Sequence, residues 1–254
     1  MKFIRYIYKR DPICYGWIND DFVGPIIGDL FGEFRRQEAI LSIEEVQLLS
    51  PLLPGKIIGI GRNYVEHANE QGVEVPDIPI IFFKPTSSVI GINDNIVIPP
   101  QSKEVVHEGE LALIIGKKGR WIQPENAFNH IFGFTIGNDV TARDLQRRDS
   151  QWTRGKGFDT FCSLGPWIET EMDPSDALIT CRVNGELRQM ASTREMVFSI
   201  QQLIVFISSI MTLEPGDVIM TGTPAGSGPL KTGDQVEIVI DGIGSLINGV
   251  VDLK

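Results

Sequence analysis

Short aliphatic runs between Gly and Pro turns constrain the fold of this chain more than any other feature. Runs rich in Ile and Val recur from Lys56 onward, in "KIIGIG", "IPIIFFK", "NIVIPP", "ELALIIG", "IFGFTIG", "ALITCRVNG", "DVIMTG", "QVEIVIDGIG" and "SLINGVVDL". β-Branched residues between turn formers favour strands. The clearest helix is predicted in "SIQQLIVFISSIMTL", whose apolar residues form one continuous stripe. The sequence therefore predicts a β-rich α+β protein with few helices.

The N-terminal region is predicted to form a small unit of its own. Short strands are predicted in "KFIRYIY", "CYGWI" and "FVGPII", followed by a short helix around "IEEVQLL". The Pro-rich stretch "SPLLPGK" then marks a boundary. We therefore expect a small N-terminal α/β domain over residues 1–52 and a larger, catalytic domain over residues 53–254.

Composition limits the classes of partner. The chain has 254 residues, of which 42% are hydrophobic, so it can bury a sizeable core. Its net charge of −10 opposes non-specific binding to nucleic acid or to an anionic membrane, although local Arg and Lys residues can still bind an anionic substrate. The N-terminus resembles no secretory signal, and the three cysteines are widely spaced, which fits a reducing compartment. We expect a cytoplasmic protein without nucleic-acid or membrane partners.

Two acidic residues begin the apolar run in "VVHEGELALIIGKK". Glu108 and Glu110 are two residues apart, so their side chains share one face of a predicted strand that is apolar on both sides. Burying an unpaired carboxylate costs several kcal/mol. Either a cation lies between these acids, or they lie at a strand end where water solvates them.

A third acid follows a later strand, in "IFGFTIGNDVTARDLQ". The strand is predicted to end at Gly137, and Asn138 or Asp139 can cap a following helix. On that helix, Asp139, Arg143 and Gln146 would lie on one face at i, i+4 and i+7. Asp139 is then either an N-cap paired with Arg143, or a third oxygen ligand beside the two glutamates. Such a ligand set suits Mg²⁺, Mn²⁺ or Ca²⁺.

Two further stretches carry groups suited to acid–base chemistry. His67 and Glu70 are three residues apart in the polar segment "EHANEQGVEVPD", which is interpreted as a mobile flap. A carboxylate beside an imidazole fixes its tautomer and raises its basicity, although the two can equally be exposed polar residues on a loop helix. Lys156 lies between two glycines, so its ammonium can enter a pocket. His107 and His130 are interpreted as structural.

The stretch "MTGTPAGSGPLKTG" suggests a site for a carboxylate. Its backbone N–H groups, with Thr221 and Thr223, can bind an anion, but no Gly-Lys-Ser/Thr sequence ends the loop as in a phosphate-binding P-loop. In "GIGRNY", Tyr64 stands where a dinucleotide fingerprint needs its third glycine. No Gly-x-Ser-x-Gly elbow is present, which disfavours a serine hydrolase.

The order of these motifs resembles the fumarylacetoacetate hydrolase family from about Lys56 to the C-terminus. The motifs are "GRNYVEHANE", "HEGELALIIGKK", "GNDVTARDLQ", "GKGFDTFCSLGP", "VNGELRQ" and "TGTPAGSGPL". The resemblance implies a mixed β-roll, a homodimer and a Mg²⁺ cofactor, or Mn²⁺ or Ca²⁺ in its place. It also implies three groups of site residues: metal ligands Glu108, Glu110 and Asp139; catalytic residues His67, Glu70 and Lys156; and substrate-binding residues Arg143, Gln146 and Thr223.

The resemblance further implies small 2-oxo acid substrates. We predict a divalent-metal-dependent hydrolase that cleaves a C–C bond in acylpyruvate or fumarylpyruvate-type acids through an enolate. The alternative is an isomerase or decarboxylase of a 2-oxo or 2-hydroxy diacid at the same site, and a non-catalytic binding protein is a third, remote possibility. A diacid would need an extra basic residue at its distal end, for which Arg147, Arg148 and Arg154 are candidates.

Overall fold

The computed structural model describes residues 1–253. Its twenty strands are β1 Lys2–Tyr8, β2 Cys14–Asn19, β3 Phe22–Gly28, β4 Phe34–Arg36, β5 Leu41–Ser42, β6 Val46–Leu48, β7 Ile57–Gly61, β8 Ile80–Lys84, β9 Val89–Ile90, β10 Asn95–Ile98, β11 Val105–Val106, β12 Gly109–Ile115, β13 Ile131–Asp139, β14 Thr141–Ala142, β15 Cys162–Glu169, β16 Leu178–Val183, β17 Glu186–Ser192, β18 Val218–Met220, β19 Gln235–Ile240 and β20 Gly244–Asp252. The α-helices are α1 Val65–Glu70, α2 Arg143–Arg148, α3 Thr153–Lys156 and α4 Ile200–Ile210. The β-rich fold class with few helices is therefore confirmed. Within residues 1–253, no helix is long and apolar enough to cross a membrane.

The strands form two principal sheets. The larger has thirteen strands, ten of them in the order β4-β3-β2-β1-β15-β13-β12-β18-β7-β8. The smaller has five, in the order β10-β20-β19-β16-β17. The N-terminal strands belong to the larger sheet, because β1 pairs antiparallel with β15 and places Phe3 opposite Ile168. Residues before 52 are thus hydrogen-bonded to the rest of the chain, and the division into 1–52 and 53–254 stays a prediction.

The helix expected around "IEEVQLL" is wrong. Ile43–Glu45 forms a single 3₁₀ turn, and Val46–Leu48 continues as strand β6. The physical reason is tertiary: β6 pairs antiparallel with β1, with Leu48 opposite Tyr6, so its backbone groups find partners in the sheet instead of in a helix.

The main core lies between the two sheets, and strand β12 is buried on both faces. Leu111 and Leu113 pack with residues of β16, β19 and α4 on one side. Ala112 and Ile114 pack on the other side with the N-terminal residue Phe3. The prediction that this strand is covered on both faces is confirmed, and Glu110 within it and Glu108 just before it are both buried.

Helix α4 covers one side of this core as the apolar stripe predicts. Ser199 and Gln202 form a reciprocal capping box at its start. Leu203, Ile204 and Ile207 are fully buried. Its apolar face therefore serves packing.

Candidate active site

Three carboxylates converge where strands β12 and β13 pair. Glu108 immediately precedes β12, Glu110 lies within it, and Asp139 ends β13. Antiparallel pairing sets Gly109 opposite Asn138, and the Asp139 N–H donates to the Glu108 carbonyl at 2.9 Å. One oxygen from each of the three carboxylates lies within 4.8 Å of the others. Glu108 and Glu110 are only 3% and 1% exposed, which excludes a solvated strand end.

The helix expected to start at Asn138 or Asp139 is wrong. Thr141–Ala142 forms strand β14 paired with β11, and this pairing keeps the backbone extended until α2 starts at Arg143. Asp139 and Arg143 therefore form no i, i+4 pair. Arg143 instead pairs with the Glu108 carboxylate and donates to Gln146 Oε1 at 2.6 Å.

Buried cations surround the three carboxylates. Lys156 Nζ lies 2.6 Å from Glu108 Oε2 and 2.5 Å from Asp139 Oδ2. Lys84, at the end of β8, donates to Asp139 Oδ1 at 2.6 Å and to the carbonyl oxygen of Lys156 at 2.5 Å. The sequence reasoning missed Lys84. Its one signal was a lysine ending an apolar strand, which also describes an ordinary exposed strand end.

The two glutamates differ in their electrostatics. Burial raises the pKa of Glu108, but the opposing charges of Lys156 and Arg143 outweigh it and hold that pKa well below the ordinary value. Burial, with the charges of Asp139 and Glu108, raises the pKa of Glu110 well above its ordinary value. Among residues 1–253, the Glu110 carboxylate accepts one hydrogen bond, from the Gly222 N–H at 2.8 Å. Within the described residues, Glu110 is thus the carboxylate of the cluster that forms no ion pair with Lys84, Lys156 or Arg143.

This donor set fits a divalent cation. Carboxylate oxygens are the ligands that Mg²⁺, Mn²⁺ and Ca²⁺ prefer in proteins. Glu108, Glu110 and Asp139 supply them from one buried point. A cation there would offset the repulsion from Asp139 and Glu108, which together with burial raises the pKa of Glu110. The buried acidic cluster is therefore consistent with a divalent-metal site.

His67 lies on α1, buried at 4% exposure, so the interpretation as an exposed loop residue is wrong for it. Burial lowers its pKa, so the imidazole is neutral at pH 7. Its Nε2 is 2.7 Å from the amide nitrogen Nε2 of Gln71, which can only donate. The imidazole proton then belongs on Nδ1, which faces Glu70 Oε2 at 3.6 Å. Gln71, which the sequence reasoning missed, and Glu70 therefore favour the same tautomer.

Glu70 also connects α1 to the loop after β18. Its carboxylate accepts the Gly226 N–H at 3.1 and 3.3 Å. Gly226 has φ +93°, and a Cβ there would lie 1.9 Å from the Arg188 carbonyl oxygen, so only glycine fits. Thr223, from the same loop, donates its hydroxyl to the Gly109 carbonyl at 2.9 Å and accepts from Gln189 at 2.7 Å.

Two adjoining cavities lie beside this cluster. The outer one has a volume of about 330 Å³ and includes Glu70, Glu104, Arg147 and Ser227 in its wall. The inner one, of about 20 Å³, is lined by Glu108, Glu110, Lys156 and Thr223. Both are lined by six residues: Arg62, His67, Gln71, Arg143, Gln146 and Trp152. Eight of the nine predicted site residues thus line a cavity, and Asp139 lies behind, against Lys156.

The other two histidines lie outside these cavities. His107 Nδ1 is 3.2 Å from Gln189 Oε1 and 3.3 Å from Cys181 Sγ. His130 Nδ1 is 2.9 Å from the Lys117 carbonyl oxygen. Each has a ring nitrogen beside a protein group, and the structural role of both stays a prediction.

The fold and the site define a class: a β-rich protein with a buried carboxylate cluster beneath a small-molecule cavity. The family described as "Fumarylacetoacetate (FAA) hydrolase C-terminal" matches residues 56–251, and the one described as "Rv2993c-like, N-terminal" matches residues 1–51. The chain belongs to the fumarylacetoacetate hydrolase family.

Its relatives include proteins named for several reactions. Oxaloacetate tautomerase FAHD2A of Homo sapiens is 48% identical over 228 residues, covering 85% of this chain and 73% of that one. The structure of 5-carboxymethyl-2-hydroxymuconate delta-isomerase from Mycobacterium smegmatis is 42% identical, with a TM-score of 0.93 over 100% of both chains. Maleylpyruvate hydrolase from Sphingobium sp. SYK-6, in complex with manganese(II) and pyruvate, is 33% identical, with a TM-score of 0.83 over 100% of both chains.

Proposed function

We propose that this protein is a divalent-cation-dependent isomerase that moves a proton between carbon and oxygen in a short 2-oxo dicarboxylate, a keto–enol tautomerase. In this proposal Glu108, Glu110 and Asp139 hold Mg²⁺, with Mn²⁺ or Ca²⁺ as alternatives, and the chain is a homodimer. The names of the human tautomerase and the mycobacterial isomerase support this reaction class. They favour it over the C–C hydrolase that the sequence motifs first suggested.

The charge balance of the buried cluster is the observation that carries the proposal. Three carboxylates face three buried cations, Lys84, Lys156 and Arg143, so the protein groups alone are balanced when all are ionised. A divalent cation adds two positive charges. A substrate with two carboxylates restores neutrality, and a nearly neutral total is the least costly state for a buried site.

The residues of the site suit a proton transfer. A bound divalent cation would supply Lewis acidity towards the 2-oxo and carboxylate oxygens. His67, neutral at pH 7, takes the proton from the carbon next to the carbonyl through Nε2 once the Gln71 amide moves aside. Lys156 stabilises the negative charge that develops on the carbonyl oxygen, and Glu70 faces the imidazolium that forms. One proton moves from carbon to oxygen, and no bond between heavy atoms breaks.

The remaining predicted residues bind and orient the substrate in this proposal. Arg143 and Gln146 line both cavities and hold each other at 2.6 Å, so they present a fixed pair of polar groups. Thr223 lines the inner cavity, where the 2-oxo end would lie. Its hydroxyl accepts from Gln189 and donates its one proton to the Gly109 carbonyl, so it binds a substrate oxygen by rotating that proton away from Gly109.

A C–C hydrolase is the second candidate, favoured by the likeness to maleylpyruvate hydrolase. The same His67 would then deprotonate a water molecule that attacks the distal carbonyl. The two reactions share a base and a metal site, and they differ only in whether a carbon–carbon bond breaks. Product analysis therefore separates them.

The test is an ultraviolet assay on purified protein, with Mg²⁺ and then with EDTA. Oxaloacetate, acetylpyruvate and fumarylpyruvate are the substrates, and products are identified in each case. We expect a Mg²⁺-dependent acceleration of the enol–keto absorbance change of oxaloacetate without carbon dioxide. Release of pyruvate with a second acid would favour the hydrolase, and carbon dioxide would favour a decarboxylase. No metal-dependent reaction with any of the three would overturn the proposal.

A further inference from the structure

Arg62 is an arginine without a counter-charge at the mouth of the site. It follows β7, and its backbone has φ 58°, a left-handed conformation that is uncommon for a non-glycine residue. Its Nε is buried and has no hydrogen-bond partner. Across residues 1–253, Arg143, Arg147 and Arg154 each pair with a carboxylate, whereas Arg62 pairs with none.

The position of Arg62 is fixed by aromatic packing. Its guanidinium carbon lies 5.9 Å from the ring centroid of Trp152. Trp152 packs against Gly61, where a Cβ would come within 2.6 Å of the ring, and contacts Phe82 edge-on at 5.4 Å between centroids. This packing holds the guanidinium where the inner and outer cavities meet.

The arginines expected from sequence to bind a distal substrate group are unsuitable. Arg147 lines the outer cavity, but Glu104 accepts two of its hydrogen bonds, at 2.8 and 3.3 Å. Arg154 pairs with Asp149 on the surface, and Arg148 is exposed and lines neither cavity. Among the arginines that line the cavities, Arg62 is the one that forms no hydrogen bond or ion pair within the described residues.

We propose that Arg62 binds the distal carboxylate of the substrate and makes the site selective for 2-oxo dicarboxylates over 2-oxo monocarboxylates. The inference rests on the proposed function, which places the 2-oxo end of the substrate at the carboxylate cluster. A guanidinium forms paired, charge-assisted hydrogen bonds with a carboxylate. The buried Nε of Arg62, which has no hydrogen-bond partner within the protein, can donate to that carboxylate. A monoacid would leave it unpaired, and that desolvated group then counts against binding.

The experiment compares oxaloacetate with its 4-methyl ester, in which an uncharged and slightly larger methyl ester replaces the distal carboxylate. Binding of both to the Mg²⁺-loaded protein is measured by calorimetry, and turnover is measured alongside. In Arg62→Met, whose side chain still covers Trp152, we expect the Kd and KM for oxaloacetate to rise about ten- to hundredfold. Binding of the ester should stay unchanged, and kcat should change little. Arg62→Lys should recover part of the loss, since it restores the charge.

Arg147→Met is the matched comparison, because Arg147 lines the same outer cavity but is already paired. The proposal is overturned if Arg147→Met causes the selective loss instead, if the unaltered protein binds diacid and ester equally, or if Arg62→Met weakens both equally. Selective loss of diacid binding in Arg62→Met, in a protein that turns over neither compound, would support Arg62 and sink the proposed reaction alone.

Discussion

The inner and outer parts of the site differ in how their charges are compensated. Around the carboxylate cluster, Lys84, Lys156 and Arg143 each contact a carboxylate of the protein itself. Where the inner and outer cavities meet, Arg62 has no such partner, and His67 Nδ1 lies at 3.6 Å from Glu70, beyond hydrogen-bond distance. Burying a charge without a partner costs free energy, and the ion pairs around the carboxylate cluster offset that cost. Arg62 and the Nδ1 of His67 instead await a partner from outside the protein or a movement within it.

The largest expected effect is a loss of metal affinity on substitution of Glu110 in the carboxylate cluster. Glu110→Gln keeps an oxygen that accepts the Gly222 N–H, so the fold should persist, but it removes one charged ligand. Removing a residue that hydrogen-bonds to a metal ligand already weakens metal binding by about 10- to 100-fold. Removing a charged ligand should weaken it more. Calorimetry with Mn²⁺ measures it, and Mg²⁺-dependent turnover should vanish with it.

A control for this change lies close by on α2. Asp144 is bonded to the Ser102 hydroxyl at 2.6 Å and to the Lys103 N–H at 3.0 Å, outside the cluster. Asp144→Asn should bind Mn²⁺ as the unaltered protein does. Unweakened binding in Glu110→Gln would show that the three carboxylates are not the metal site.

The next largest effect concerns the base. His67→Ala should leave Mn²⁺ binding intact and slow turnover by about 10²- to 10⁴-fold, the usual contribution of a positioned base. His130→Gln is the control, because the His130 ring lies outside both cavities and is hydrogen-bonded to the Lys117 carbonyl. Normal turnover in His67→Ala would remove His67 from the chemistry in both the tautomerase and the hydrolase mechanisms.

Much of the fold could be predicted from the sequence, because the predicted strands of the core carry continuous apolar runs. Besides several strands of two or three residues, two long strands, β15 and β17, were missed for different reasons. β15 contains Gly165 and Pro166, a pair typical of turns, and the strand pairing shifts register beside it. β17 lies at the edge of the smaller sheet, so four of its seven residues are exposed and its sequence shows no apolar run.

The residues of the site also differ in how far the sequence alone could reveal them. Glu108 and Glu110 were recognisable because acids in an apolar strand contradict their surroundings. Lys84 and Arg62 lie at strand ends, where charged residues are ordinary, and only tertiary structure reveals their surroundings. Lys84 meets Asp139 across 55 positions of sequence, and no local spacing encodes such a contact.

A smaller effect tests whether the ion pairs around the carboxylate cluster also contribute to the free energy of unfolding. Lys84 and Asp139 have side chains 0% and 1% exposed, so Lys84→Met leaves a buried carboxylate short of a partner. We expect a loss of about 3–5 kcal/mol in the free energy of unfolding. Lys118 and Glu214 form an ion pair in which the side chains are 68% and 45% exposed. Lys118→Met removes this pair and should lower the free energy of unfolding by about 1 kcal/mol or less. Urea unfolding without added metal measures both, and equal losses would contradict the distinction.

The smallest expected effect concerns Gln71, which lies between the two parts. Burial lowers the pKa of His67, so activity should fall only as the pH drops below 6.5, where the imidazole gains a proton and ceases to be a base. The Gln71 amide donates to the unprotonated Nε2 and so favours the neutral form. Gln71→Leu should slow turnover at pH 7 by less than about tenfold and move the acid limb of kcat/KM to higher pH.

Gln123→Leu, an exposed control, should leave the profile unchanged. An acid limb that moves to lower pH in Gln71→Leu would mean that the amide oxygen faces Nε2, which would place the imidazole proton there instead.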